Sequence, residues 1–519
     1  MKSNLRFTTL FAMFCCFFAA IAGEEHDQFP DTVLNFNEVA VVARRQPLAS
    51  AQSISGVELQ KLSSTSIADA LKYFAGVQIK DYGGLGGLKT INVRSLGSQH
   101  VGVYIDGVRL TNAQNGTIDL GKYSLSTLES VSLFNANRLD QCQSASEYAS
   151  GATVYLQSRR PTSDSLTVLG GIGSFHSYRG RVNAQISRRT WSGFIDAEYV
   201  NSKGDYPFRY KSQWEDTVGR RRNSDIEYGR LEAVVFSHDF SAHAYWYLSE
   251  RGCPGGIVRR LSDKYTNVAR EWDQDVFVQG TWNHSFNAMH RLKATMKYAH
   301  EYLRYRTKYP ENQNTARVDN HYYLNDAYAA ASYSFTLRSW LNVNVGYDAR
   351  MSWLDADLKR FHTVRRLDQK AVAALQLNWK GARLAASALY QHYKDHTIYR
   401  AGAAEPLSKV TPSVTLGYFW RGLQARLWYK HIFRAPTLND LYYTQAGNRN
   451  LKPEFTRQWN LGLQYDFASS QWFASVQADA YINRVEDRIV CLPMRGTYTW
   501  SMMNYGETYC RGLNATVSG

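Results

Sequence analysis

The chain has 519 residues, of which 44% are hydrophobic and 14% aromatic, and its formal net charge is +15. This apolar content excludes an intrinsically disordered protein, and the length is too great for one ordinary hydrophobic core. The mean hydropathy of −0.42 argues against a helical membrane protein. It leaves a membrane β-barrel open, because barrel strands are half polar.

The first 22 residues have the pattern of a targeting segment. Lys2 and Arg6 precede an apolar run over residues 7–22, and Ala20-Ile21-Ala22 fits a small-residue cleavage site before Gly23. The run is shorter than the roughly 20 residues that a membrane-spanning helix needs. We therefore expect residues 1–22 to be a signal peptide and the chain to be exported.

Residues 23–50 are polar, apart from a short apolar stretch at residues 39–43. This stretch is rich in valine, which favours extended structure. We predict an arm over residues 23–50 that carries one strand-forming peptide.

Residues 51–160 predict a compact α+β domain. Ser66 stands where a helix N-cap would, before a stripe of Ile67, Ala70 and Leu71. Short apolar runs predict strands at residues 90–94, 101–105, 128–134 and 152–156.

Two loop signals stand inside this domain. Asp106-Gly107 follows the second predicted strand and indicates a tight turn. A glycine-rich run at residues 82–88 lacks the Gly-Lys-Ser/Thr ending of a phosphate-binding loop, and no helix clearly opens from it. We therefore interpret this run as a mobile loop.

From residue 166 onward, apolar and polar residues alternate in one segment after another. In residues 341–351, for example, Leu341, Val343 and Val345 interleave with polar residues. A period of two predicts strands with two different faces, each strand about ten residues long. The polar face carries whole charges, among them Asp348, Arg350 and Asp479. This pattern is typical of an antiparallel membrane β-barrel with one face toward lipid and the other toward a wet lumen.

The ionisable residues suggest no reaction centre. Histidine, cysteine and carboxylate residues form no recognisable zinc or nucleophile constellation, so we predict neither an enzyme nor a bound metal or cofactor. A basic balance suits nucleic acid, but an exported chain has little access to it. Basic loops such as Arg220-Arg221-Arg222 and Arg365-Arg366 instead meet anionic lipid headgroups or an anionic ligand, or are simply solvated.

Four cysteines follow the predicted cleavage site: Cys142, Cys253, Cys491 and Cys510. Four cysteines permit three pairings, and the sequence does not choose among them. Cys491 and Cys510 flank one apparent hairpin loop and are the pair favoured here.

Two groups of motifs carry a family resemblance. The first domain has Ile91-Asn92-Val93-Arg94, then VGVYIDGVRL at residues 101–110, and further matches at residues 128–133 and 148–154. The later region has FRAPTLNDLY at residues 433–442, LKPE at residues 451–454, and a match at residues 504–513. By these motifs the chain resembles the TonB-dependent outer-membrane receptors, and within them the cobalamin-receptor-like branch. Two departures stand at Arg94-Ser95, where the family usually has Arg-Gly, and at Asn135-Ala136-Asn137, where it often has Arg-Gly-Pro.

The resemblance implies a transmembrane antiparallel β-barrel of about 22 strands with an N-terminal α+β plug domain inside its lumen. It places residues 51–160 in the plug, residues 161–519 in the barrel, and the protein in the outer membrane. About 16 strands fit into residues 166–519, and the motif at residues 504–513 normally has several strands after it in the family. We therefore expect the barrel to be incomplete at its C-terminus.

Since the outer membrane holds no ATP, the resemblance implies that energy arrives from a TonB-type protein in the periplasm. It assigns a TonB box on the arm to Asn37, Glu38, Val39, Ala40, Val41 and Val42. Such a peptide suits strand addition to a partner's sheet edge, and an ordinary first plug strand is the alternative. Outer-membrane lipid, lipopolysaccharide and a surface lipoprotein are further expected partners.

The resemblance also implies a ligand site on the apical plug loops. Its residues are Tyr82, Leu85, Leu88, Asn112, Gln114 and Asn115, with Arg251, Tyr442 and Tyr443 from outer loops; Arg94, Asp106 and Gly107 form a plug core motif. Amides both donate and accept hydrogen bonds, which suits the carboxamide periphery of a corrinoid, although loops also favour Asn for turns.

The predicted function is active uptake of a scarce bulky nutrient, a corrinoid. The alternatives are a ferric siderophore or haem receptor, and a surface receptor without transport.

Overall fold

The computed structural model describes residues 51–62, 66–138, 142–211, 213, 216–254, 268–307, 318–397, 402–469, 472–494 and 499–519. All of them lie in one unit, Pro47–Gly519. The predicted signal peptide at residues 1–22 and the predicted TonB box at residues 37–42 lie outside the described residues. Across the described ranges, no helix has the length and apolar character needed to cross a membrane.

The N-terminal part of the described chain forms a small α+β domain, which we call the plug. Its helices are α1 (Gly56–Lys61) and α2 (Ile67–Leu71). Its strands are β1 (Ala51–Ser55), β2 (Val77–Asp81), β3 (Lys89–Val93), β4 (Val101–Ile105), β5 (Val108–Leu110), β6 (Leu128–Phe134) and β7 (Ala152–Ser158). β1, β6, β7, β4 and β5 form one sheet in that order, in which β4 and β7 are parallel, and β2 pairs with β3.

The local signals in the plug sequence correspond to the observed elements. Ser66 is the N-cap of α2, and its side chain accepts a hydrogen bond from the backbone N–H of Asp69 at 3.4 Å. The residues on the α2 stripe are buried. β4 and β6 have the predicted bounds, β3 begins one residue early, and β7 continues two residues further than predicted.

The core of the plug continues into the wall that surrounds it. Leu71, Val103 and Val154 from α2, β4 and β7 share one buried cluster with Tyr245 and Phe277, which lie far along the chain. The hydrophobic core therefore holds the plug against one sector of the large sheet described next.

In the described residues, 20 strands follow the plug. They are β8 (Ser165–Gly173), β9 (Ser177–Ser187), β10 (Trp191–Ser202), β11 (Pro207–Lys211), β12 (Asp216–Arg220), β13 (Ile226–Ser237), β14 (Phe240–Gly252), β15 (Arg270–Ser285), β16 (His290–Thr307), β17 (Val318–Arg338), β18 (Leu341–Ala356), β19 (Val364–Trp379), β20 (Ala382–Thr397), β21 (Leu407–Trp420), β22 (Leu423–Arg434), β23 (Glu454–Ala468), β24 (Phe473–Glu486), β25 (Ile489–Pro493), β26 (Trp500–Asn504) and β27 (Glu507–Ser518). A short helix, α3 (Leu438–Tyr442), lies between β22 and β23.

Sixteen of these strands form one antiparallel sheet in chain order, from β8 to β27, which confirms the predicted number of strands. The pairs β11–β12 and β25–β26 are separate hairpins within connections. The predicted strand length of about ten residues is wrong, because the sheet strands have 9 to 21 residues. About ten tilted residues cross the hydrocarbon core, so the extra length extends beyond the membrane.

The two faces of the sheet have opposite polarity. On β23, Trp459 and Leu461 are 52% and 54% exposed on the outer face, whereas Gln458 and Asn460, which alternate with them, are only 2% and 1% exposed. Asp348, Arg350 and Asp479, predicted for the inner face, are likewise buried. The apolar residues therefore face the surroundings and the polar residues face the plug, as expected of a membrane barrel.

The connections differ in length at the two ends of the sheet. One end has tight turns such as residues 380–381 and 421–422, and the other has long connections such as residues 435–453 and 487–506. Exposed tryptophans cluster at the tight-turn end: Trp191, Trp282, Trp340, Trp379, Trp420 and Trp472. Since outer-membrane barrels have short periplasmic turns, long outer loops and aromatic girdles, the tight-turn end is the periplasmic side.

The predicted disulfide between Cys491 and Cys510 is wrong. All four cysteines after residue 22 are free thiols. Cys491 lies on β25, where it pairs with Met502, whereas Cys510 lies on β27 opposite Asn483 of β24. The two cysteines therefore belong to different sheets, and the loop between them contains a hairpin of its own.

A backbone constraint appears where the chain departs from the family's Arg-Gly. Arg94 and Ser95 have φ of +48° and +60°, the left-handed region in which glycine carries no Cβ penalty.

We expect Ser95→Gly to stabilise the plug by about 1 kcal/mol, since Ser95 is exposed and its side chain contributes little packing. Urea unfolding followed by a probe on the plug measures this, with Ser95→Ala as the control that keeps the Cβ. A Gly variant no more stable than the Ala variant would contradict the strain.

Candidate ligand-binding site

The ligand side of the plug is the side that faces the long outer connections. Two plug loops reach this end: residues 82–88 between β2 and β3, and residues 111–119 after β5. Together with the upper parts of the barrel strands they enclose two adjacent cavities of about 220 Å³ and about 140 Å³. The cavities share Leu110, Thr111, Asn112 and Ile118, so the second loop forms the partition between them.

The glycine-rich loop is held by a buried ion cluster. Arg251 donates to the carbonyl oxygen of Gly86 at 2.9 Å and to Glu271 at 3.0 Å. The same guanidinium lies 3.4 Å from Asp119 and 3.5 Å from Asp273. Arg251 therefore ties both plug loops to β14 and β15, rather than extending freely from an outer loop.

The larger cavity has an excess of carboxylates, and we call it the acidic cavity. Lys122 of the plug lies 2.8 Å from Asp275 and 3.2 Å from Asp273. Burial acts to lower the pKa of Lys122, but these carboxylates and Asp119 outweigh it and raise the pKa well above its usual value. The charged lining of this cavity is Asp119, Glu271, Asp273, Asp275 and Glu301 with Lys122, Arg251 and Lys297.

The smaller cavity has the opposite balance, and we call it the basic cavity. Its charged lining is Arg109, Arg350, Arg366, Lys370 and Arg434 with Asp368. Arg366 and Arg434 are paired with carboxylates outside this lining, Asp395 and Glu454, each at 2.7 Å. The partition loop thus separates two walls of opposite charge.

In the loop between the two cavities, residues 111–119, which we call the partition loop, side-chain amides make hydrogen bonds within the protein. Asn112 donates to Glu301 at 2.6 Å and accepts from the backbone N–H of Asn115 at 2.9 Å. The side-chain oxygen of Asn115 accepts from the backbone N–H of Thr117 at 3.0 Å. These contacts shape the turn and orient the amides, so the loop reaches the ligand as a preformed surface.

The structure brings some of the predicted ligand residues together and leaves others apart. Leu88, Asn112, Gln114, Asn115 and Arg251 line the acidic cavity. Tyr82 and Leu85 are exposed on the glycine-rich loop and lie outside both linings.

The two predicted tyrosines lie at the C-terminal end of α3, in the outer connection between β22 and β23. Tyr442 ends α3, and its hydroxyl donates to Asp395 at 2.8 Å. Burial and Asp395 raise its pKa. The backbone N–H groups of Leu438 and Asn439, at the start of α3, donate to the carbonyl oxygens of Ala113 and Gln114 at 3.0 and 2.8 Å. Tyr442 thus helps to seat the α3 segment on the partition loop, and Tyr443 beside it lines neither cavity.

The predicted core motif connects the plug to the barrel below the cavities. Arg94 is buried with its guanidinium 4.5 Å from the centre of the Tyr481 ring, and its carbonyl accepts from Asn483 at 3.3 Å. Asp106 accepts from Ser158 at 2.7 Å and lies 3.0 Å from His243. Burial acts to raise the pKa of Asp106, but the hydrogen bonds from His243 and Ser158 outweigh it, so the pKa lies below its usual value.

Sequence reasoning did not assign the charged barrel residues of the two cavities to a ligand site. It placed Arg350 on the inner face and Arg365-Arg366 in a basic loop, whereas the structure has Arg365 and Arg366 within β19. Asp273, Asp275 and Glu301 lie on β15 and β16, and Arg350, Arg366 and Lys370 lie on β18 and β19. Their signal was present, since each is a charge at an inward position in the outer half of a strand. In the described ranges, no three His, Cys, Asp or Glu residues are placed to hold a metal ion.

A β-barrel whose lumen holds a plug, with the acidic and basic cavities on the long-loop side, defines an outer-membrane receptor rather than an open pore. Residues 43–153 match the TonB-dependent Receptor Plug Domain, and residues 213–519 match the TonB dependent receptor-like β-barrel. The chain therefore belongs to the TonB-dependent receptors, as its motifs predicted. Members of this family lie in the outer membrane, bind small-molecule ligands and are in general driven by TonB.

Among curated relatives, the vitamin B12 transporter BtuB of Vibrio vulnificus is 22% identical, covering 90% of this chain and 72% of that protein. The protein of the same name from Photobacterium profundum is also 22% identical, covering 93% and 76%. These similarities support the cobalamin-receptor-like branch.

Solved structures share the fold with lower identity. The FrpB iron transporter from Neisseria meningitidis (F5-1 variant) superposes with a TM-score of 0.70 at 11% identity, covering 90% of this chain and 77% of that chain. The copper transporter OprC has a TM-score of 0.68 at 13% identity, covering 91% and 76%. These likenesses establish the architecture alone.

The ion cluster at Arg251 provides a test of how the site is held. We expect Arg251→Ala to cost about 3 kcal/mol of local stability, because it leaves buried carboxylates without their cation. Hydrogen exchange at residues 82–89 should accelerate accordingly. Arg251→Lys keeps the charge but not the forked geometry, so its exchange rate should lie between those of the unmodified receptor and the Ala variant. Unchanged exchange in the Ala variant would show that the loop is held by other contacts.

Proposed function

We propose that this receptor takes up a corrinoid, with cobalamin as the reference ligand, across the outer membrane. The observation that carries the proposal is the outer site itself, an amide-bearing loop between an acidic and a basic cavity. A corrinoid presents carboxamides around its edge and one anionic phosphate in its nucleotide loop. Carboxamides donate to carboxylates and accept from guanidinium groups, so one ligand can form hydrogen bonds with both the acidic and the basic cavity. The phosphate can bind the cationic side chains of the basic cavity.

Similarity along the chain adds to this argument. The two relatives named as vitamin B12 transporters match about nine tenths of the chain, which includes the plug loops and most of the barrel. Arg251, Asn112 and Gln114 are the plug and wall residues that we propose as direct ligand contacts, together with Tyr82 and Leu85 at the entrance.

The second candidate cargo is an anionic iron chelate or haem. The basic cavity favours it, because five cationic side chains and one carboxylate line it, and only Arg366 and Arg434 among the cations are paired with carboxylates outside this lining. Solved structures with the same fold include an iron transporter and a ferric enterobactin receptor. A surface receptor without transport is the third candidate, and it predicts that the arm is dispensable.

Equilibrium binding to the purified full-length receptor decides between the cargoes. We expect saturable binding of cyanocobalamin that depends only weakly on salt, since most of its contacts are neutral amides. A ferric siderophore or haem should bind weakly. Arg109→Gln serves as an internal probe, because it should weaken an anionic chelate far more than cobalamin. Tight, strongly salt-dependent binding of the chelate with no binding of cobalamin would reject the corrinoid.

For the arm, we propose that residues 37–42 are the TonB box and pair as a strand with the partner. Val41→Pro removes a backbone donor from that pairing, so uptake into cells should be lost while ligand binding is retained. Val41→Ala keeps the N–H and is the matched control. Normal uptake by the Pro variant would remove this assignment and favour a receptor that does not transport.

We also propose the surrounding arrangement that the sequence suggests. Residues 1–22 direct export, residues 51–160 are the plug, and residues 161–519 contribute to the barrel. The Arg220-Arg221-Arg222 segment beside β12 faces lipopolysaccharide phosphates, and a surface lipoprotein covers the outer loops.

A further inference from the structure

Three neighbouring turns at the periplasmic end of the barrel repeat one geometry. They connect β17 to β18, β19 to β20, and β21 to β22. A carbonyl oxygen of each turn accepts a hydrogen bond from a backbone N–H of the next strand in the sheet: Trp340 from Asn378 at 2.8 Å, Gly381 from Phe419 at 2.9 Å, and Gly422 from Asp466 at 3.0 Å. Since neighbouring strands lie about 4.8 Å apart, successive turns are roughly 10 Å apart along the rim.

Each of these turns carries a cation and a tryptophan within two residues of each other. The pairs are Arg338 with Trp340, Lys380 with Trp379, and Arg421 with Trp420, and all six residues are exposed. The Lys380 nitrogen lies 5.9 Å from the centre of the Trp379 ring, and the guanidinium carbon of Arg421 lies 5.5 Å from that of Trp420. Because the tryptophans belong to the aromatic girdle of the periplasmic side, the cations lie at the level of the lipid headgroups.

The backbone at two of the turns does not favour a long cationic side chain. Lys380 and Arg421 have φ of +42° and +43°, and the glycine that follows each has φ of +90° and +85°. Two-residue hairpin turns with this backbone prefer asparagine followed by glycine. A lysine or arginine in the left-handed region is strained, because its Cβ approaches the following carbonyl oxygen. Strain at a position where a smaller residue would relieve it indicates a function for the side chain.

The three cations have no carboxylate partner within the part of the chain that the structure describes. Other periplasmic turns differ. At the β9–β10 turn, Arg188 lies 2.7 Å from Asp164. At the β13–β14 turn, Asp239 lies 2.7 Å from His238 and 2.6 Å from His284. Uncompensated positive charge is therefore concentrated at three adjacent turns, where an anion from outside the protein can bind.

An anionic phospholipid has the chemistry that this surface requires. Its phosphate accepts charge-assisted hydrogen bonds from guanidinium and ammonium groups. Its acyl chains can lie along the apolar outer face that continues from the turns, where Tyr418, Leu416 and Val414 of β21 are exposed. Basic residues at an anionic membrane surface are attracted to it, and the periplasmic leaflet of the outer membrane consists of phospholipids.

We infer that Arg338, Lys380 and Arg421, which we call the cationic rim, form a binding site for anionic phospholipids of the periplasmic leaflet, with one headgroup phosphate at each turn. The adjacent tryptophans contact the same lipids at the level of the glycerol. Neither the plug nor the cargo takes part in this site. It therefore holds one sector of the barrel in the membrane whether or not a ligand is bound.

Thermal unfolding of the purified full-length receptor in neutral detergent tests the cationic rim. Phosphatidylglycerol should raise the unfolding midpoint by several degrees more than phosphatidylcholine with the same acyl chains, and this excess should fall as salt is added. Lys380→Asn combined with Arg421→Asn removes two cations but creates two favoured Asn-Gly turns. Without lipid this double variant should be at least as stable as the receptor, and it should lose most of the excess. Lys380→Arg should keep the excess.

The matched control lies in the outer connection between β18 and β19. Arg360 is exposed there with φ of +65°, and Lys359 beside it is also exposed. Arg360→Asn with Lys359→Gln removes two cations and the same kind of strain, and it should retain the full excess. Retention of the excess by the rim variant, or an equal loss in the control, would overturn the site. Stabilisation by soluble peptidoglycan fragments in place of phosphatidylglycerol would overturn it in favour of a different partner.

Discussion

The structure depends on one requirement: charges on the inner face of the barrel must find partners, and the plug supplies them. Asp348, buried in the lumen, is satisfied by two backbone N–H groups of the plug, and Glu454 lies 2.7 Å from His100. On the barrel itself, Asp348 has the Tyr328 hydroxyl and Glu454 has Arg434, so the plug completes the set of partners that each buried carboxylate needs. Lumen polarity, plug position and outer cavities are therefore linked, because each depends on the same inward side chains.

The same kind of contact holds the plug on two sides. Asp348 of the wall accepts from the backbone N–H groups of Ala145 and Ser146. At the tip of hairpin β4–β5, Asp106 lies 3.0 Å from His243 of the wall, and Gln279 donates to the carbonyl oxygen of Ile105. Apolar packing of Phe277 and Tyr245 against the plug core is non-directional and permits sliding more readily than a buried ion pair does.

The features that are local in sequence were predictable. A period of two marks every inward and outward position, as β23 illustrates, and Ser66 identifies the start of α2. The predicted strand number was right because the combined length of strand and connection was estimated correctly, although the strands alone are longer than predicted.

The features that depend on distant residues were not predictable. The Cys491–Cys510 pairing failed because a hairpin inside the loop separates the two strands. The acidic cavity combines Asp119 with Asp273 and Glu301, more than 150 residues apart along the chain, a convergence that no local pattern indicates. Asn112 and Asn115 were identified for their amide chemistry, yet part of that chemistry shapes the loop itself.

The most direct test of the link between inward charges and plug position is hydrogen exchange of the plug in the receptor and in its Asp348→Ala variant. Removing the carboxylate that accepts from the backbone N–H groups of Ala145 and Ser146 should accelerate exchange at these two amides. Unchanged exchange there would contradict the account.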